Sequence, residues 1–114
     1  IKIIRYADVI LMAAEAANEL GQSGKAANYV NMIRNRAGLA NTTAADQVTL
    51  RAAIKQERRI EFAMEFERFY DLVRWGDAPA VLGAKGYTDK NKYFPIPQEA
   101  IDKSQGVLVQ NPNY

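Results

Sequence analysis

Three glycines, Gly21, Gly38 and Gly76, divide the first two thirds of this 114-residue chain into stretches that are dense in helix formers and free of proline. Each stands where a left-handed residue closes a helix, so the punctuation predicts a succession of helices. The first spans residues 4–20. On it Asp8, Glu15 and Glu19 fall close together at helical spacing, one narrow polar stripe on an otherwise apolar cylinder. A helix with that pattern needs neighbours on more than one side. The second runs from about Gly24 to Ala37, capped by Ser23, with Ala26, Val30, Ile33 and Ala37 as its inward row. Together they make a hairpin. Ala13, Ala14, Ala16 and Ala17 face Ala26 and Ala27, and the lack of side-chain bulk lets the two axes approach closely.

Gly21 and Ala26, five apart, with small residues at the contact positions, give the hairpin the look of one tetratricopeptide-type helix pair. Such a unit ordinarily stacks on further units, and no second copy occurs in these residues. The chain opens on Ile1 within an uncapped apolar stretch, which reads as a cut end.

Composition narrows the chemistry. With 48% apolar or aromatic residues, 25% charged, seven Gly and four Pro, this is an ordinary globular sequence of about one domain, residues 1–114. Cysteine and histidine are both absent, which removes disulfides, thiol nucleophiles, Ser-His-Asp catalysis, the usual zinc ligands and Glu-x-x-His di-iron sites. The net charge of +2 comes from interleaved signs, so nothing points to nucleic acid or an anionic membrane surface. No apolar run is long enough to span a bilayer.

Residues 40–48 read as a polar connection in which Asn41, Thr42 or Asp46 caps the next helix. From Thr49 to Trp75 one long helix is expected. At about 100° per residue, Leu50, Ile54, Phe62, Phe66, Phe69, Leu72 and Val73 share a broad apolar sector. Four charges, Arg58, Glu61, Glu65 and Arg68, fall inside that sector. The expected resolution is a structural ion network within the helix: Arg58 with Glu61 and Arg68 with Glu65 at i+3, continued by Asp71 and Arg74. A short helix over 77–82 tolerates Pro79 in its first turn, and 83–92 is loop. Residues 93–97 are extended because residues before proline are pushed from helical geometry, with Phe94 and Ile96 as wedges against the helices. Pro97 opens a one-turn helix through Ile101 or Asp102, and 83–114 as a whole forms an irregular C-terminal wrap. The fold class is therefore all-α: a tetratricopeptide-like hairpin, a long helix and an irregular tail.

Six blocks taken together resemble a known family. They are Arg5-Tyr6-Ala7-Asp8-Val9-Ile10-Leu11-Met12-Ala13-Ala14-Glu15-Ala16, Ile33-Arg34-Asn35-Arg36-Ala37-Gly38-Leu39, Glu57-Arg58-Arg59-Ile60-Glu61-Phe62, Arg68-Phe69-Tyr70-Asp71-Leu72-Val73-Arg74-Trp75-Gly76, Phe94-Pro95-Ile96-Pro97 and Gln110-Asn111-Pro112-Asn113-Tyr114. In this order they are similar to the C-terminal part of the SusD/RagB proteins. The resemblance implies a lipid-anchored, cell-surface outer-membrane protein, much longer than this chain and built on tetratricopeptide-like pairs. It further implies capture of oligosaccharides or other nutrients beside a TonB-dependent, SusC-like transporter. The lipidated cysteine of that family is absent from these residues, so membrane attachment would lie outside the segment. The family's ligand-contacting aromatics come largely from other parts of the chain.

No enzyme, cofactor or metal is expected. Glu57, Glu61 and Glu65 supply the paired carboxylates a glycosidase needs, but neighbouring arginines favour ionised acids rather than a proton donor. Asp8, Glu15 and Glu19 along one rigid helix do not resemble a calcium loop. For a glycan, Tyr87 and Tyr93 flanking the polar loop Asp89–Lys92 are candidate contacts. Trp75, with Tyr70 a little over one turn before it, offers another flat face or else docks the helix end. The alternative function is a helical scaffold that contacts the transporter and has no ligand site of its own.

Overall fold

The computed structural model describes residues 4–114 as two compact units, one ending at Phe66 and the other comprising Glu67–Tyr114. Ile1, read above as a cut end, lies outside the described residues. No strand occurs among the described residues, and the fold is all-α.

The first unit holds α1 (Tyr6–Glu19), α2 (Ser23–Arg36) and α3 (Gln47–Glu61). Its core is three layers, each taking side chains from all three segments. Ala17, Ala26 and Leu50 form one layer, Ala14, Val30 and Ile54 the next, and Ala7, Ile10, Leu11, Ile33 and Phe62 the third. The half-buried Tyr29 packs against every layer. Alanine at the narrow layers is what permits close helix approach. The inward row of α2 is Ala26, Val30 and Ile33; Ala37 is exposed as the C-cap, and Ala16 of α1 is exposed rather than facing α2. Ser23 is the first helical residue after an N-cap at Gln22, and no side chain caps that end.

The glycine punctuation has a hydrogen-bond basis. After α1, Gly21 adopts φ +73°, its N–H donates to Asn18 O at 3.0 Å, and the Gln22 N–H donates to Ala17 O at 2.8 Å. That pair of bonds is a Schellman closure, which takes up carbonyls the helix end would otherwise leave unpaired. The same pair recurs at Gly38 and at Gly76. Asp46 caps α3 by accepting the Val48 and Thr49 N–H groups, each at 2.9 Å.

The expected single helix over 49–75 is two helices, α3 and α4 (Glu67–Arg74). Nothing in the local sequence breaks it, since neither glycine nor proline occurs between them. A contact distant in sequence does. The Glu61 carbonyl, which a continuous helix would give to the Glu65 amide, accepts from Arg5 Nη2 at 3.0 Å; the Glu65 N–H donates to Phe62 O instead, at 3.1 Å. Phe62 then enters the core, while Met64 and Phe66 take positive φ of 69° and 65° and are 94% and 90% exposed. Phe66 thus leaves the apolar sector, and Phe69 and Val73 are only half-buried.

The second unit continues with α5 (Ala78–Leu82), two 3-10 turns at Gly83–Lys85 and Asp89–Lys92, and α6 (Gln98–Lys103). Pro97 is the N-cap of α6 rather than its first residue. The tail docks on the extended 93–96 segment through side chains. Gln110 Oε1 accepts the Ile96 N–H at 2.8 Å and its Nε2 donates to Ile96 O at 2.9 Å, while Asn111 Nδ2 donates to Phe94 O at 2.7 Å. Amides thereby copy strand pairing where Pro95 and Pro97 leave too few backbone donors for a ladder.

Candidate functional site

In the first unit the charges expected within one helix pair with other segments. Arg58, almost fully buried, donates from Nη1 to Asp8 Oδ1 at 2.7 Å. Glu61 accepts from Arg5 at 2.9 Å and from Arg36 at 2.6 Å, and Glu65 receives both Arg5 Nε and Nη2. Glu57 pairs with Arg34 at 3.0 Å. The i+3 pairings of Arg58 with Glu61 and of Arg68 with Glu65 are thus replaced as the organising contacts. The second required an unbroken helix, and Arg68 sits in α4. Asp71 does pair with Arg74, at 2.9 Å.

Two guanidiniums, of Arg5 and Arg58, each lie 5.0 Å from the Phe62 ring centroid, so the ring turned inward by the break is faced by cations. Hydrogen bonds from Arg5 hold the Glu65 carboxyl below its ordinary range, and Glu65 and Glu61 raise the Arg5 guanidinium further. Nearer the start of α3, Arg51 binds both oxygens of Glu19 at 2.6 and 2.7 Å and lowers that carboxyl in the same way. The acidic stripe of α1 therefore meets a basic row on α3, and the arginine contacts favour the ionised forms of Glu19 and Glu65.

The second unit contains a groove of about 390 Å³ lined by Phe69, Leu82, Tyr87, Tyr93, Phe94 and Tyr114, with Lys85, Gly86 and Asn91. It brings two of the expected contacts, Tyr87 and Tyr93, to one place. Tyr70 and Trp75 are not among its lining residues. Tyr70 meets Phe69 edge-on with centroids 5.9 Å apart, and the Arg74 guanidinium lies 4.7 Å from the Trp75 ring centroid, covering one face of it. Phe94, expected as a wedge, is largely exposed at the groove.

Local structure explains the arrangement. Gly86, at φ +92°, turns the chain between the first 3-10 turn and Tyr87. A capping box follows, in which Asn91 Oδ1 accepts the Thr88 N–H at 2.8 Å and the Thr88 hydroxyl at 3.0 Å, fixing the loop that leads to Tyr93. Tyr114 returns from the tail, donates its hydroxyl to Tyr93 O at 2.8 Å, and carries Lys90 Nζ 5.3 Å from its ring centroid. Phe69, Phe94 and Tyr114 are groove residues that sequence reasoning did not assign. The tail's Gln-Asn-Pro run was the available signal for Tyr114, because side-chain amides beside proline are suited to docking an irregular segment.

The Tyr87 hydroxyl oxygen is shielded from solvent and has no hydrogen-bond partner among the described residues. Leaving such a group unpaired costs about 1–3 kcal/mol.

Comparison with known proteins decides the affiliation, because the SusD family profile matches residues 1–92. The chain belongs to the SusD family. SusD-like protein P2 of Formosa agariphila is 35% identical over 127 residues, covering 97% of this chain and 25% of that protein. A laminarin-binding SusD-like protein of known structure shares 42% identity over 97% of this chain and 22% of its own, with a TM-score of 0.82. Surface glycan-binding protein A from Bacteroides thetaiotaomicron shares 37% identity over 99% of this chain and 24% of its own, with a TM-score of 0.77. The chain thus spans about a quarter of the SusD-family relatives it matches.

Proposed function

We propose that the chain is a segment of a non-enzymatic nutrient-binding protein of the cell surface, with glycans as its ligands. The reading extends to a lipid-anchored place on the outer membrane beside a TonB-dependent, SusC-like transporter, the role that the resemblance implies. Two solved relatives whose names state laminarin and surface-glycan binding support the ligand class. The observation that carries it within this chain is the groove, which Tyr87, Tyr93, Phe94 and Tyr114 line with aromatic side chains. Pyranose C–H faces pack on such rings, and a few polar groups fix orientation.

The test is calorimetric titration of the chain against a panel of neutral and charged oligosaccharides, repeated with Tyr87→Ala and Tyr93→Ala. Loss of about tenfold in affinity for each variant is expected, from about 1.4 kcal/mol of lost ring contact per site. Unchanged affinity in both variants would move the contact elsewhere, and Trp75→Ala and Tyr70→Ala would then be the next to examine.

A second reading, the scaffold, rests on the first unit. Tyr6, Val9 and Met12 lie at helical spacing along α1 and are exposed, as is Leu20 at its C-cap, an apolar stripe suited to protein contact. Under that reading oligosaccharides leave the chain unaffected, and polar substitutions along the stripe weaken association with the transporter.

A further inference from the structure

We infer that the groove of the second unit takes a glycan bearing uronate carboxylates, with Lys85 selecting the charge. The inference rests on the glycan reading above and adds the chemical class of the sugar.

The polar groups of the lining are biased toward donors. Asn91 has its amide oxygen engaged by Thr88, which leaves its NH2 as the group free in kind to donate outward. Lys85 carries an ammonium that can only donate. Among the described residues no aspartate or glutamate lines the groove. Of the charges on the 83–92 loop, Asp89 is taken by Lys92 at 3.4 Å, so Lys85 and Lys90 are an excess of positive charge around the aromatic walls. Lys90 already stands over the Tyr114 ring, and Lys85 lies on the exposed side of the lining.

A neutral sugar offers hydroxyls that donate as well as accept, and it leaves the ammonium charge unanswered. A carboxylate accepts only, and answers it. A hexuronate carries that carboxylate directly on its ring, so stacking on Tyr87, Tyr93 or Phe94 and pairing with Lys85 can proceed from one residue of the glycan. A sulfate ester hangs from an exocyclic oxygen and separates the two contacts.

The experiment titrates the chain with tetragalacturonate, with its fully methyl-esterified form, with a κ-carrageenan tetrasaccharide and with a neutral laminarin tetrasaccharide. The free acid should bind about three- to fivefold more tightly than its ester, the range expected of one solvent-exposed ion pair. Lys85→Gln should abolish that difference, and raising salt should narrow it, while the fold checked by circular dichroism stays unchanged. Tyr87→Ala should weaken acid and ester alike. Equal affinity for acid and ester, or binding of the laminarin probe alone, overturns the uronate inference and leaves the glycan reading standing. Preference for the sulfated probe overturns the choice of carboxylate. Silence toward all four probes overturns the inference together with the glycan reading of this groove.

Discussion

Removing Asp8 is the sharpest probe of the first unit. The Arg58 side chain is 4% exposed and that of Asp8 14%, and their contact is 2.7 Å long. Asp8→Ala leaves a buried guanidinium without this carboxylate, and breaking a buried pair in that way costs about 3–5 kcal/mol. The low end applies, about 3 kcal/mol, because the Phe62 ring still faces the cation and Arg58 has further interactions. Urea unfolding followed by circular dichroism measures it. The double variant Asp8→Ala with Arg58→Met should recover most of the loss, since replacing both charges by apolar groups removes the uncompensated one. A loss below about 0.5 kcal/mol in the single variant, the size of a surface substitution, would refute burial of the pair; so would a double variant worse than the single. Glu61→Ala should be milder, about 1–2 kcal/mol, because its partners Arg5 and Arg36 both reach solvent.

The break between α3 and α4 predicts the sign of another substitution. Met64→Gly should stabilise by about 0.5–1 kcal/mol, relieving a positive φ at a side chain that buries almost nothing, whereas in a continuous helix it would destabilise by about 1 kcal/mol. Unfolding free energies decide between those signs. Acid should weaken the first unit: Glu19 and Glu65 are held below their ordinary 4.5 by Arg51 and Arg5, so their contribution is full above that value and drains as pH falls through the lower folded one. Glu19→Gln and Glu65→Gln should flatten stability against pH between about 5 and 3, and an undiminished slope in both variants would contradict the assignment.

What could be read in the sequence divides along local and non-local causes. The ends of α1, α2 and α4 follow from Gly21, Gly38 and Gly76, because a Schellman closure is written in a few adjacent residues. Burial of Arg58 follows from its phase on α3. Its partner does not, because i+3 spacing suggested Glu61 and the fold supplies Asp8, fifty residues away. A signal for it existed: acids at 8, 15 and 19 run opposite to bases at 51, 55 and 58, the order that an antiparallel pair of helices brings together. Tyr87 and Tyr93 were legible as loop tyrosines, while Phe69 and Tyr114 join them only through the packing of α4 and the docking of the tail.

The same distinction explains why α3 stops where it does. Residues 57–66 contain no helix breaker, so local propensity alone continues the helix. Arg5 competes for the Glu61 carbonyl and both Glu65 oxygens at once, and Phe62 gains a buried place beside Ile33. One intrahelical hydrogen bond contributes about 1 kcal/mol net, and burying a phenylalanine contributes about 1.5–3 kcal/mol. With the strain of left-handed Met64 and Phe66 added, the break costs more than burial of Phe62 alone returns, and the charge-assisted bonds from Arg5 to Glu61 and Glu65 offset the difference. Arg5 immediately precedes α1, so the residue that starts the hairpin also ends the third helix. The hairpin and the break are therefore one structural decision, made by tertiary contact.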